Sequence, residues 1–147
     1  MPRNAVMYDE DFYAWTTEQA QLIRSRQFST LDTENVAEEL ESMGRSVRRE
    51  LRNRLAILLM HLLKWQYQPG LRSRSWSGAI REQRRQIADL VDESQSLRPL
   101  VGQDLSHVYG LAIIKAVAET GFQEAMFPAD CPFTVEQIMA EDFLPED

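Results

Sequence analysis

The stretch LAILLMHLLKWQYQP, Leu55–Pro69, decides the fold. Its apolar residues show no strand-like alternation, they continue past one face of a helix, and Pro69 with Gly70 closes them. A helix that is apolar almost all round is buried on several sides. The residues leading into it are amphipathic, with Val47, Leu51, Leu55 and Leu58 inside and Arg45, Arg48, Arg49 and Arg52 outside. The spacing predicts a central helix over about Ser46–Gln66, spanning ~30 Å at 1.5 Å per residue. Its most apolar part, Leu55–Leu63, falls far short of the ~20 residues of a membrane span.

Working outward, Phe12, Trp15, Leu22 and Ile23 recur at helical spacing and predict a first helix over Asp9–Arg24. Asp32 is placed to cap a short second helix, Thr33–Met43. There Leu31 and Val36 have the spacing of a hydrophobic staple, and Gly44 is the expected stop. In that helix Val36, Leu40 and Met43 form the apolar stripe, with Glu34, Glu38 and Glu41 opposite. Further helices are expected over Ser75–Glu93 and Leu100–Glu119. Residues 122–147 read as a turn-rich tail with one short helix, started by a capping box of Thr134 and Gln137. The fold class is therefore all-α: a compact single-domain bundle of five to six helices around a long central helix, with residues 1–7 flexible. The expected core is Phe12, Trp15, Leu40, Leu51, Leu55, Leu58, Leu62, Trp65, Trp76, Ile80, Ile87, Val108 and Ala112.

A chain of 147 residues, 44% apolar and 27% charged, is large enough for one core without disulfides. The single Cys131 excludes an internal disulfide and suits a reducing compartment. No signal-peptide pattern opens the sequence, so a cytoplasmic protein is expected. The net charge of -7 is unevenly spread: residues 45–85 carry eleven of the sixteen basic residues and only Glu50 and Glu82 as acids. Such a split serves internal pairing, an acidic partner or a nucleic-acid contact.

His61 is the one polar ring inside the apolar run, and burial would keep its imidazole neutral. A metal site would need His61 to meet Glu38 and Glu41 across two antiparallel helices. No HExxH or ExxH pattern exists, and with two histidines in the chain no metal or other cofactor is expected. A core histidine beside a solvated acidic face is the simpler reading. Cys131, beside Asp130, is poorly placed to form a thiolate, and neither a GxSxG elbow nor a glycine-rich phosphate loop is present. Arg72, Arg74, Arg81, Arg84 and Arg85 form a candidate basic surface on or beside the fourth helix. A phosphate contact there would be salt-sensitive and largely sequence-blind.

The motifs DEDFYAW, AEELESMG, LLMHLLKWQYQP, SRSW followed by IREQRR, and the closing CPFT with DFLP resemble the bacterial domain of unknown function 29 family. The resemblance runs from about Tyr8 to Pro145. It implies an all-helical, single-domain protein and brings no catalytic residue with it. His61 lies within one of these motifs and His107 does not, which disfavours a mechanism needing both. The leading expectation is a non-enzymatic cytoplasmic interaction protein, adaptor or antitoxin-like, with a protein partner or self-association and no membrane. The alternatives are nucleic-acid binding through the arginine face, or a metal-dependent bundle using His61, Glu38 and Glu41.

Overall fold

A computed structural model of the protein describes residues 6–146. Among them are six α-helices and no strand: α1 (Phe12–Arg24), α2 (Thr33–Tyr67), α3 (Arg74–Glu93), α4 (Arg98–Gln103), α5 (Leu105–Thr120) and α6 (Val135–Met139). Single 3-10 turns lie at Pro69–Leu71, Gln95–Leu97 and Glu124–Met126. The all-α class and the long central helix are as expected. The expectation of a flexible start falls mostly on residues 1–5, outside the described residues. The chain forms two compact units, residues up to Ser46 and residues from Val47 onward.

In the first unit, Asp11 caps α1 by accepting from the Ala14 N–H at 3.1 Å, so the helix begins three residues later than Asp9. It ends in a Schellman motif. The Arg26 N–H donates to the Ile23 carbonyl and the Gln27 N–H to the Leu22 carbonyl, with Arg26 left-handed at φ 59°. Asp32 ties the two helices of this unit together. Its Oδ2 accepts from the Trp15 indole at 3.0 Å and from the Asn35 amide at 2.8 Å, and its N–H donates to the buried Gln19 side chain at 2.8 Å. The bonds that Asp32 accepts from Asn35, and then from Trp15, lower its pKa below the usual value, against the effect of burial. Tyr8 donates to Glu39, which pushes the phenol up to about 12.

The second unit holds the main core. Leu51, Leu55, Leu58, Leu59, Leu62 and Leu63 of α2 are fully buried against Ile80 and Ile87 of α3, Val108 and Ala112 of α5 and Ile138 of α6. Each of these leucine, isoleucine and valine side chains contributes about 1.5–3 kcal/mol of burial. The capping box at Thr134 and Gln137 forms as its spacing indicates. Tyr109 of α5 donates to the Pro128 carbonyl at 2.6 Å and pins the loop that follows.

Three expectations need correction. Gly44 does not stop a helix: Thr33–Tyr67 is one continuous helix of 35 residues, and a glycine inside it costs only about 1 kcal/mol relative to alanine. The Leu100–Glu119 helix is two, α4 and α5, divided at Asp104 (φ -91°, ψ 0°). Phe12 and Leu40 are not core residues, being 49% and 63% exposed, while Trp65 and Trp76 are only partly buried.

Candidate functional site

His61 is half-buried, and its Nδ1 is enclosed without a hydrogen-bond partner. Burial lowers its pKa, Lys64 adds to that, and Glu119 acts in the opposite sense. The imidazole is therefore neutral near pH 7. Lys64, one turn on, is almost fully buried, with its ammonium 3.5 Å from Glu119 and 4.6 Å from the Trp76 ring centroid. A cation held over an indole face and beside one carboxylate is compensated without a second acid. Glu38 and Glu41 lie on the same continuous helix as His61, with no turn between, so the antiparallel approach required of them does not exist. Instead both are exposed and pair with Arg45, at 2.8 Å and 3.8 Å. Among the described residues no three His, Cys, Asp or Glu side chains are grouped as metal ligands.

The five arginines of the expected basic surface separate into different roles. Arg84 is 5% exposed and is no surface residue. Its guanidinium donates to the carbonyls of Ile138 at 2.8 Å and Gln137 at 3.1 Å, closing the end of α6. Burial lowers its pKa, partly offset by Asp142. Arg72 donates to the Trp65 carbonyl at 2.7 Å and stacks on that indole. Arg74, Arg81 and Arg85 do face outward, and Arg85 pairs with Asp89 one turn on. They line one side of a groove that Glu141 and Asp142 line on the other, so its charge is mixed.

Periodicity alone passes over Asp104, the most constrained carboxylate in this unit. It stands between α4 and α5 with a side chain only 6% exposed. Arg48 donates to Oδ1 at 2.7 Å and to Oδ2 at 3.0 Å, while Arg52 donates to Oδ2 at 3.0 Å and more weakly to Oδ1. These bonds, Arg48's first, hold its carboxyl far below the usual carboxylate range. The sequence signal was available: Gly102 and an aspartate inside a presumed helix mark a restart. Both oxygens of Asp104 are thus occupied by arginine donors. Cys131, half-buried at the edge of a groove with Tyr109 and Phe127, has its thiol pKa raised by burial and is a poor nucleophile.

Apolar side chains are also left uncovered. In the first unit only Trp15 and Gln19 are buried among the described residues, while Phe12, Leu40 and Met43 lie 49–64% exposed, joined by Met7, Tyr13, Ile23 and Phe28. Leu40 and Met43 belong to the α2 stripe expected to face a core, and they face solvent instead. Val47 continues the stripe on the same helix and is also exposed. The missed signal is not the stripe but its cover: periodicity marks an apolar face without stating what meets it.

Comparison with curated proteins and with solved structures gives no match. No helix among the described residues is long and apolar enough to cross a membrane. A family model described as "Domain of unknown function DUF29" matches residues 7–144, nearly the whole chain, and the chain belongs to that family.

Proposed function

We propose that this protein is a non-enzymatic interaction module working in the cytoplasm, and that the α1–α2 face of its first unit is where a protein partner binds. One observation carries the reading: Leu40 and Met43, three apart and so neighbours on one side of α2, are both more than 60% exposed in a unit whose buried described residues are Trp15 and Gln19. Neighbouring apolar side chains left exposed in this way favour an interaction site. A unit of this size with so small a core gains stability from being covered. The polar groups elsewhere support the same view, since Asp104, Arg84 and Lys64 are committed to internal partners.

The test expresses a tagged chain beside an untagged copy in the native host, as wild type and as Leu40→Glu/Met43→Glu. Both substituted positions are exposed, so circular dichroism and melting should be unchanged. The expected result is one identified protein bound stoichiometrically to wild type and lost from the variant. Equal binding to both forms, or no stoichiometric protein on wild type, overturns the proposal.

A further inference from the structure

Arg74, Arg81 and Arg85 follow one another on α3 at steps of seven and four residues. That spacing sets them within about 40° round the helix and about 16 Å along it. All three are exposed and line one wall of a groove of about 1040 Å³, above the roughly 300–1,000 Å³ of small-ligand pockets. Glu141 and Asp142 line the other wall, on a turn just beyond α6. Among the described residues no ion pair joins the two walls; Arg85 alone is paired, with Asp89 of its own helix at 3.4 Å. Glu82 also borders the groove, on α3 itself, where the Gln86 amide donates to it at 3.0 Å.

The two walls are fixed to each other by Arg84. Its buried guanidinium, carried by α3, donates to the carbonyls of Ile138 and Gln137 and more weakly to that of Glu141 at 3.5 Å. Further on, the Phe143 N–H donates to the Ala140 carbonyl at 3.3 Å and its ring meets Phe133 edge-on, so the acidic turn is held at both ends. The groove is therefore formed in advance, and a ligand has little ordering to drive. Gly78 lies in it between Arg74 and Arg81 in sequence, with nothing within 4 Å of a Cβ added there, which leaves room for a ligand backbone against α3.

A row of cations facing a row of anions sets a field across the groove. A ligand of one sign is drawn to one wall and repelled by the other, which disfavours a nucleic-acid backbone. A ligand with acids along one edge and bases along the other is drawn to both. An extended peptide has that form when acidic and basic residues alternate, because successive side chains point to opposite sides. Five such residues span about 16 Å, the length of the arginine row. We propose that the groove docks an extended segment of another protein in which acidic and basic side chains alternate. Its acids meet Arg74, Arg81 and Arg85, and its bases meet Glu141 and Asp142. The site lies wholly in the second unit and shares no residue with the α1–α2 face.

Amide NMR of the labelled full chain, titrated at low salt, tests it. The probe is a capped five-residue peptide with glutamate at its first, third and fifth positions and lysine between them. It should shift amides within residues 74–88 and 139–144 with a Kd of about 1 mM or tighter. Three control peptides should each bind at least about threefold more weakly: one with glutamine for the lysines, one with glutamine for the glutamates, and one with the glutamates and lysines in separate blocks. Arg74→Glu/Arg81→Glu, at two exposed positions, should keep the circular dichroism of wild type and bind the alternating peptide at least about tenfold more weakly. Glu141→Lys/Asp142→Lys should also weaken that peptide yet tighten the lysine-free one, a reversal that a damaged fold does not give. No shifts up to about 5 mM, a block peptide that binds equally, or a lysine-free peptide that binds wild type more tightly each overturn the proposal. So does a thymidine oligonucleotide that binds more tightly than the alternating peptide and is lost in Arg74→Glu/Arg81→Glu, which gives the groove to nucleic acid instead.

Discussion

Replacing Asp104 with Asn keeps the shape of the side chain and removes its charge. The carboxylate accepts two short bonds from Arg48 and one from Arg52, with a fourth contact at 3.4 Å. Hydrogen bonds to charged groups are worth about 1.5–3 kcal/mol each when made. The guanidiniums are 42% and 33% exposed and regain water once released, so the sum is well below the pairwise total. Asp104 also leads into α5, where a negative charge gains about 0.3–1 kcal/mol from the helix dipole. The expected loss is about 2 kcal/mol at pH 7, or roughly 8 °C in Tm for a chain of this size. The sign with pH follows from the lowered pKa. The unfolded carboxylate titrates near 3.9 and the folded one below it, so the contribution is complete above about pH 5. As the pH falls through the window between the two values it is lost at up to about 1.4 kcal/mol per pH unit. Urea unfolding of wild type and Asp104→Asn from pH 8 to pH 3 reads this directly. The gap should be constant down to pH 5 and narrow below it. A gap under about 0.5 kcal/mol at pH 7, or one that widens in acid, refutes the account of Asp104 as a charged clamp.

Gly44→Ala should stabilise the protein by about 0.5–1 kcal/mol, because the glycine lies within a continuous helix with nothing near its missing Cβ; a loss in urea unfolding would contradict that continuity. Arg84→Ala should cost about 2–4 kcal/mol and speed amide exchange over residues 134–141, whereas Arg81→Ala should change stability by less than about 0.5 kcal/mol. His61→Leu removes an enclosed, unpartnered nitrogen and should be within about 1 kcal/mol of wild type at pH 7.5. Because burial lowers the folded His61 pKa, wild type loses stability as pH falls through the ordinary histidine range while His61→Leu does not. The urea midpoint of His61→Leu relative to wild type should therefore rise between pH 7.5 and pH 5.

Local pattern made the helices legible, and long-range chemistry did not show. The run Leu55–Leu63 announced a buried helix because helical spacing and all-round apolarity both depend on neighbouring residues. Gly44 misled because its local cost is small beside the cooperativity of a helix already formed on both sides. Leu40 read as core because an apolar stripe looks the same whether its cover is the chain itself or another molecule. The Asp104 clamp joins residues 52 and 56 positions apart, a distance at which spacing carries no signal. Arg84 was readable: it falls between Ile80, Ile87 and Val91 at inward-facing intervals, and its charge alone argued for the surface.

The bonds from Arg84 also set an order of events during synthesis. Its carbonyl acceptors at Gln137 and Ile138 lie 53 and 54 residues downstream. At about 5–20 residues per second a translating ribosome takes roughly 3–10 s to make them. Throughout that interval the guanidinium cannot enter its buried position satisfied, and the place of the fully buried Ile138 stands empty. The second unit therefore completes itself only when its last short helix emerges, as a closing step rather than a vectorial one. A chain stalled before residue 137 exposes the α3 side of its core to proteases and chaperones.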